Sequence, residues 1–450
     1  MRAAVVGGGI AGLAAAWELC DRAEVTVFEP GRLGGRIITE PFEGRPVDCG
    51  PDAFLVRSPA AVELCAELGV DDLVAPAAGR ALIWWNGRLE PVPEGTVFGA
   101  PTRLRPLLGS RLISPLGALR AAADLVLPTR RPTGDLSVRR LIAGRYGAEV
   151  ADRLVDPLVG SIHAGRSEDL SAEATVPQLF AAASSGRSLI KALGGAARRS
   201  AAGGEGGPPG PVFLAPREGL QALVDALVSR LCDRGTAFEA RRVDRVRAAG
   251  DVVEVDGGRF DAGILAVGAR EAARLLGEAA PTGLGCEPAA SVALVTMGFR
   301  HIDLPPGVSG LLVPRPEGHL MTACSFASEK WPHWAGPDRT LMRVSAGRFG
   351  DHRIDTLGDE DLVERLAAEL SRALGEPAAA APETWRVSRW PDAFPQYMVG
   401  HVRLVASVGE SMTATMPRVA LCGSSYNGIG IPACVASGRE AAKKVCVAAR

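Results

Sequence analysis

Two glycine-rich turns, one near each end of a 450-residue chain, hold the residues best suited to meet a phosphate or another electron-rich group. In the first, Gly7-Gly8-Gly9-Ile10-Ala11-Gly12 matches G-x-G-x-x-G. Gly7 allows a tight turn, Gly9 lets backbone approach a pyrophosphate, and Gly12 lets a helix pack closely on a strand. The N-terminus of that helix offers free N–H groups and the positive end of a dipole. Glu29 stands where an acid accepts hydrogen bonds from both ribose hydroxyls, which disfavours a 2'-phosphate. These residues predict dinucleotide binding, with NAD and FAD both open. The second turn, Gly423-Ser424-Ser425-Tyr426-Asn427-Gly428-Ile429-Gly430-Ile431-Pro432, again aims a helix N-terminus at something electron-rich.

The elements that must position these turns are legible around them. Ala3 to Val6 reads as a strand, and Ile10, Leu13, Ala14 and Trp17 repeat at helical spacing. Val25 to Phe28 reads as a second strand, which completes a βαβ unit within about thirty residues. Phe213 to Leu231 carries Gly219-Leu220 and a helix with Leu220, Leu223, Val224 and Leu227 on one face. Phe260 to Gly268 is a strand ending in small residues, which permit close backbone approach. Val419 to Cys422 is a strand ahead of the last turn, and Ala433 to Val447 is a helix after it. The nucleotide domain is therefore expected to be discontinuous.

Composition bounds the reading. The length suggests two or three domains. A net charge of -1 gives no global attraction to nucleic acid. Nine cysteines without a Cys-x-x-Cys fit reduced thiols in a cytoplasmic protein better than disulfides or a metal site. No secretory signal opens the chain and no apolar run reaches about 18 residues, so no spanning helix is expected.

Beyond these turns the residues become specific to a family. Gly31-Arg32-Leu33-Gly34-Gly35-Arg36-Ile37 resembles the R-x-G-G-R segment of the amine oxidase and porphyrinogen oxidase branch of FAD enzymes. Asp48-Cys49-Gly50-Pro51-Asp52-Ala53 resembles the flavin-contacting loop of that branch. Asp156-Pro157-Leu158 leads to Ile162-His163-Ala164-Gly165, and Trp390-Pro391 precedes Phe394-Pro395-Gln396-Tyr397-Met398-Val399-Gly400-His401. That last run is similar to the P-Q-Y-x-x-G-H signature of the oxygen-dependent coproporphyrinogen III and protoporphyrinogen IX oxidases, and Gly428 to Pro432 resembles their G-V-G-I-P. The matches span nearly the whole chain. One departure is Ser161, where the family commonly has glycine. The S-G-G-C-Y segment of covalent monoamine oxidases is missing, so FAD is expected to be non-covalent.

The resemblance implies an α/β fold: a discontinuous Rossmann-like FAD-binding domain, a mixed-sheet substrate domain, and a helical, membrane-binding-like domain. The FAD-binding domain is expected at 1–75, 212–277 and 405–450, and the substrate domain at 76–102 and 278–404. The helical domain is expected at 103–190, with a flexible loop at 191–211. The helical stretch combines Arg103, Arg105, Arg111, Arg120, Arg130 and Arg131 with Leu104, Leu107, Leu108, Leu112 and Ile113. That pattern suits an anionic lipid surface or a solvated cationic face over a core stripe.

By the same resemblance the cofactor is held by Gly7, Gly8, Gly9, Ile10, Ala11, Gly12, Glu29, Gly34, Gly35, Arg36, Gly50, Pro51, Asp52, Ala53, Val243, Trp390, Gly423, Gly428, Ile429, Gly430 and Ile431. Val243 meets the adenine through its backbone, and the last helix faces the charge of the reduced ring. The implied reaction removes six electrons from coproporphyrinogen III in three two-electron cycles. Hydride leaves a bridge carbon, and O2 becomes peroxide. No catalytic triad is expected, since the cofactor supplies the redox chemistry. Propionates call for cations. Arg80 aligns with a substrate-anchoring arginine of the family, and Arg348 is a second candidate. Leu158, Ser161, Met297 and Phe299 are expected around the ring, while His163 and His401 are read as structural. The resemblance further implies transient contact with a ferrochelatase and peripheral contact with a membrane. Protoporphyrinogen IX, an amine or polyene substrate, and a non-catalytic porphyrin carrier are the competing readings.

Overall fold

Ala3, Ala4, Val5 and Val6 are all buried, as a central strand of a parallel sheet covered on both faces requires. In the computed structural model, which describes residues 1–127, 131–202 and 210–448, that strand, Arg2–Val6, is the middle of five. The order across the sheet is Ala237–Glu239, Glu24–Phe28, Arg2–Val6, Ala262–Leu265 and Val419–Leu421, and every pairing is parallel. These strands belong to one contact unit made of residues 1–75, 211–288 and 402–450. Three separate stretches of chain thus build one sheet.

Side chains alternate across each strand, so the two faces have different covers. Ala4, Val6, Phe28, Leu265 and Val419 share a core with Val246, Val253 and Val255 of a three-stranded meander. Leu275 of the helix Ala269–Leu276 and Met412 of the helix His401–Thr415 close the same core. The first helix, Ile10–Leu19, packs on the last, Ile431–Ala448. A Cβ on Gly438 would lie 2.1 Å from the Ala11 carbonyl oxygen, so glycine is what lets these two helices touch along their backbones.

The second unit comprises residues 76–210 and 289–401. Its sheet has seven strands, in the order Thr384–Pro395, Ala289–Arg300, Arg339–Ala346, Met321–Phe326, Val308–Leu312, Arg80–Trp85 and Arg88–Pro91. Only the pairing of Val308–Leu312 with Arg80–Trp85 is parallel. On one face Met297, Phe299, Met342 and Trp84 pack against Leu362, Leu366 and Leu370 of the helix Asp359–Leu374.

Ile83 points to the other face, where it joins Leu141, Tyr146, Leu154 and Leu179. This core is made mostly by residues 107–193, including the helices Pro115–Ala122, Val138–Tyr146, Asp156–His163 and Pro177–Ser185, and Ile83 and Ala100 join it from the preceding segment. The helices and the seven-stranded sheet fall in one contact unit. The boundary expected at 277/278 falls instead after 288, and that expected at 404/405 after 401.

The loop expected at 191–211 is also corrected. Leu189–Ala202 is a helix, whose Leu189, Ile190 and Leu193 are buried. Asp124 accepts from the Ile190 amide at 3.0 Å and the Ser188 hydroxyl accepts from the Lys191 amide at 3.2 Å, so the first turn is capped. Gly194-Gly195 signalled a loop, but an apolar anchor and a cap outweigh about 1 kcal/mol of propensity per glycine. Residues 203–209 of that loop, and Arg130 of the basic stretch, lie outside the described residues. Among the described residues no helix is long and apolar enough to cross a membrane, and no cluster of metal-ligating side chains occurs.

Candidate functional site

In the first unit the strand Arg2–Val6 ends against the turn that opens the helix Ile10–Leu19. The Gly7 amide donates to the Phe28 carbonyl at 2.9 Å, which fixes the turn beside the second strand. A Cβ on Gly12 would lie 2.0 Å from the Gly7 carbonyl oxygen, whereas one on Gly9 would meet nothing within 4 Å. Gly12 is therefore a packing glycine, and Gly9 presents open backbone at the helix N-terminus. Ile10 and Ala11 form the buried first turn of that helix. Glu29 accepts from the Gly8 amide at 2.8 Å and from the Gly31 amide at 2.9 Å, one on each carboxylate oxygen. A carboxylate has about four acceptor positions, so both oxygens retain one for a ribose hydroxyl.

The segment after the second strand folds back over this turn. The Gly34 amide donates to the Gly8 carbonyl at 2.8 Å, and Gly35 lies beside Gly9. Arg36 then reaches the second glycine turn, where its Nη1 donates to the Ser424 hydroxyl at 3.2 Å. Its side chain is accessible but crowded by protein, and this desolvation lowers its pKa, offset in part by the Cys434 sulfur. Burial pushes the Cys434 thiol up to about 11, with Arg36 pulling the other way. A guanidinium held in a concave surface with one hydroxyl partner suits a diphosphate.

The second turn is held from behind. The Gly423 amide donates to Ser437 Oγ at 3.2 Å, and the Ala269 amide donates to Ser425 Oγ at 3.1 Å. Gly428, Ile429 and Gly430 lead directly into Ile431–Ala448, whose first turn closes with the Cys434 amide on the Gly430 carbonyl at 3.0 Å. The loop Gly50-Pro51-Asp52-Ala53 follows the strand Arg45–Asp48. Buried Asp48 accepts from Thr39 Oγ1 and from the Leu220 amide, which anchors the start of that loop. Val243 differs from expectation in one respect. Its side chain is core and its carbonyl accepts from Arg274 at 2.9 Å, so part of its backbone capacity is already used. Trp390 lies on the outer strand Thr384–Pro395 of the second unit, opposite Val292.

The second unit holds the residues expected around a substrate. Arg80 is exposed on the strand Arg80–Trp85, with Nη2 donating to the Pro306 carbonyl at 2.6 Å. Ser161 Oγ donates to the Leu158 carbonyl at 2.9 Å within the helix Asp156–His163. A small recess brings Ser161 and Arg348 together with Arg315, Thr322, Asp156 and Gly165. Arg315 was missed by sequence reasoning, since nothing in Pro314-Arg315-Pro316 signals a site. Met297 and Phe299 do not line this recess. At 0% and 2% exposure they pack on the helix side of the sheet, and strand alternation turns Thr296 and Gly298 the other way.

The two motif histidines are buried. Burial lowers the His163 pKa to about 4, so the ring is neutral at ordinary pH. His401 stacks on Tyr397, with ring centroids 4.0 Å apart. Gln396 is fully buried and donates to the His163 carbonyl at 2.9 Å. The Phe349 amide donates to the neighbouring Ala164 carbonyl at 2.6 Å, and Arg315 Nη2 to the Gly165 carbonyl at 3.0 Å. The Pro395-Gln396-Tyr397 run is thus a brace for residues 163–165, one wall of the recess.

A parallel sheet, two helix N-termini behind glycine turns, a ribose-ready glutamate and an arginine between the turns define a dinucleotide-binding protein. The open backbone at Gly9 and the sparsely partnered Arg36 fit FAD. Residues 10–446 match the model of the flavin containing amine oxidoreductase family, and the chain belongs to that family. A coproporphyrinogen III oxidase of Bacillus subtilis (strain 168) is 32% identical, across 97% of this chain and 96% of its own. One from Mycobacterium tuberculosis (strain ATCC 25618 / H37Rv) is 36% identical, across 98% and 96%. A crystal structure from Exiguobacterium sp. 255-15, assigned as a protoporphyrinogen oxidase, superposes with a TM-score of 0.88 at 29% identity, covering 99% of each chain. These relatives bear out the resemblance carried by the motifs.

Proposed function

We propose that this chain is an FAD-dependent oxidase that converts coproporphyrinogen III to coproporphyrin III, removing six electrons and forming three molecules of hydrogen peroxide from O2 in haem biosynthesis. The observation that carries this reading is the near-full-length match to coproporphyrinogen III oxidases on a chain whose first unit has an intact nucleotide cradle. Bound non-covalently, FAD supplies acceptance of two electrons at a time. The chain's own residues do the placing. Glu29 takes the ribose hydroxyls, while Gly9 and Arg36 face the diphosphate. The helix Ile431–Ala448 would offer the positive end of its dipole to the ring system and so favour its reduced, negatively charged form. Loop 50–53 supports the ring, while Arg80 and the Ser161 wall orient the tetrapyrrole.

Protoporphyrinogen IX is the second reading, favoured by the Exiguobacterium structure. Oxygen uptake and porphyrin fluorescence, followed with both porphyrinogens, decide between them. Faster fluorescence growth with coproporphyrinogen supports the first reading. Faster growth with protoporphyrinogen supports the second. Rates no higher than spontaneous oxidation for either remove both.

Peripheral lipid contact belongs to the same proposal. Leu108, Leu116, Leu119 and Val126 are 73%, 78%, 68% and 81% exposed within residues 105–127, beside Arg105 and Arg111. An apolar cluster with cationic neighbours suits an anionic bilayer surface. Co-sedimentation with anionic vesicles, lost on Leu116→Glu and Leu119→Glu, tests it. A transient contact with a ferrochelatase, which would take the product onward, is proposed from the resemblance alone.

A further inference from the structure

Two cations in the second unit share one recess with a single lining carboxylate, Asp156. Arg315 and Arg348 both line a recess of about 20 Å³, together with Asp156, Ser161, Thr322 and Gly165. The Nε of each guanidinium is buried and has no hydrogen-bond partner among the described residues. Arg315 spends one Nη on the Gly165 carbonyl at 3.0 Å, and Arg348 makes only a long 3.5 Å contact to the Met321 carbonyl. Asp351, the acid three positions beyond Arg348, is engaged by Arg353 through its amide at 3.1 Å, its Nε at 2.9 Å and 3.2 Å, and its Nη2 at 2.6 Å. Asp156 accepts from the Ser167 amide at 3.0 Å. Burial lowers the Arg348 pKa to about 10, with repulsion from Arg315 adding to the effect. Buried polar groups in folded proteins are nearly always satisfied, and two orphaned N–H donors on adjacent cations point to an absent anion.

We propose that this recess is a carboxylate subsite, in which Arg315 and Arg348 together receive one propionate of the substrate. The inference rests on the porphyrinogen reading above and deepens it. A volume of about 20 Å³ holds one water-sized group, so one carboxylate oxygen would enter the recess and the rest of the propionate would lie at its mouth. Planar guanidinium forks match a carboxylate edge, and Lys would not reproduce the geometry. Thr322 and Ser161 add hydroxyls at the rim; both are partnered in the chain, through Ser345 and Leu158. Arg80 pairs with Val308, at the other end of the strand from Val313 of the recess, and is exposed, so it would make a separate, solvent-screened contact.

The test uses the flavin-loaded protein and two stable ligands, coproporphyrin III and its tetramethyl ester, with binding read from quenching of porphyrin fluorescence. The ester keeps the ring and removes every carboxylate charge. Wild type is expected to prefer the free acid by at least about tenfold. Arg315→Met and Arg348→Met should each lower that preference several-fold with little change in ester binding. Arg348→Lys, which keeps charge and most of the volume, should retain part of it and decides the matter if a methionine variant does not fold. Folded variants that keep the wild-type preference overturn the subsite while leaving the oxidase reading intact. A wild type that binds neither porphyrin overturns both.

Discussion

Arg36 and Ser424 stand 388 residues apart in sequence and are joined by a hydrogen bond of 3.2 Å from guanidinium to hydroxyl. The contact ties the two glycine turns of the first unit together. Arg36→Ala should raise the FAD dissociation constant by at least about tenfold, since a charge-assisted hydrogen bond contributes about 1.5–3 kcal/mol. Ser424→Ala should cost much less, because it removes only the neutral partner. Flavin fluorescence titration measures both.

Gly9 and Gly12 lie in one motif and should fail in different ways. Alanine at Gly12 would push a Cβ to 2.0 Å from a carbonyl oxygen, so Gly12→Ala should destabilise the folded chain by several kcal/mol, about 3 or more. Gly9→Ala finds open space and an extended backbone that alanine accepts, so the apoprotein should melt within about 1 °C of wild type. Its FAD affinity should still fall, because the methyl occupies the approach to the diphosphate. Calorimetry with and without FAD separates the two effects.

His163 predicts a pH dependence of stability. Burial holds its folded pKa near 4 against about 6.5 when unfolded. The unfolded chain therefore binds more protons between these values. The neutral ring contributes its full stability above about pH 6.5, and that contribution declines as pH falls towards 4. The whole effect is about 3 kcal/mol. His163→Gln should flatten the urea-midpoint profile between pH 6.5 and 4, and an unchanged slope would assign the dependence to other groups.

Asp124 sits 3.7 Å from Arg145, with side chains 0% and 4% exposed. Arg145 also donates to the Arg187 and Ala183 carbonyls at 2.6 Å and 3.0 Å. Replacing one partner leaves a buried charge uncompensated, so Arg145→Met should cost about 3–5 kcal/mol. The double variant Asp124→Asn with Arg145→Met should recover part of it. Denaturant titration of the three proteins is the check.

Arg80 offers the opposite case. It is exposed, so Arg80→Ala should leave the melting temperature unchanged within about 1 °C. If it anchors a propionate, KM for coproporphyrinogen should rise several-fold at nearly constant kcat. An unchanged KM would end that role.

The residues at the two glycine turns were legible because phosphate binding imposes a local rule: strand, glycines, helix, then an acid after the next strand. Gly7 to Gly12 and Glu29 follow it within a short stretch of chain, and Gly423 to Ile431 follow its strand, glycines and helix part. The family motifs extended this to Arg36, to loop 50–53 and to the enzyme class. Other features depended on contacts that no local pattern encodes. Met297 and Phe299 pack toward the helix Asp359–Leu374, and which face of a strand meets that helix depends on register across the sheet, where a shift of one residue reverses it. The helix Leu189–Ala202 hid behind its glycines because its cap comes from Asp124, far back in the chain. Arg315 had no signature at all. It matters because the fold places it beside Arg348, and only tertiary structure can crowd two like charges into one desolvated recess.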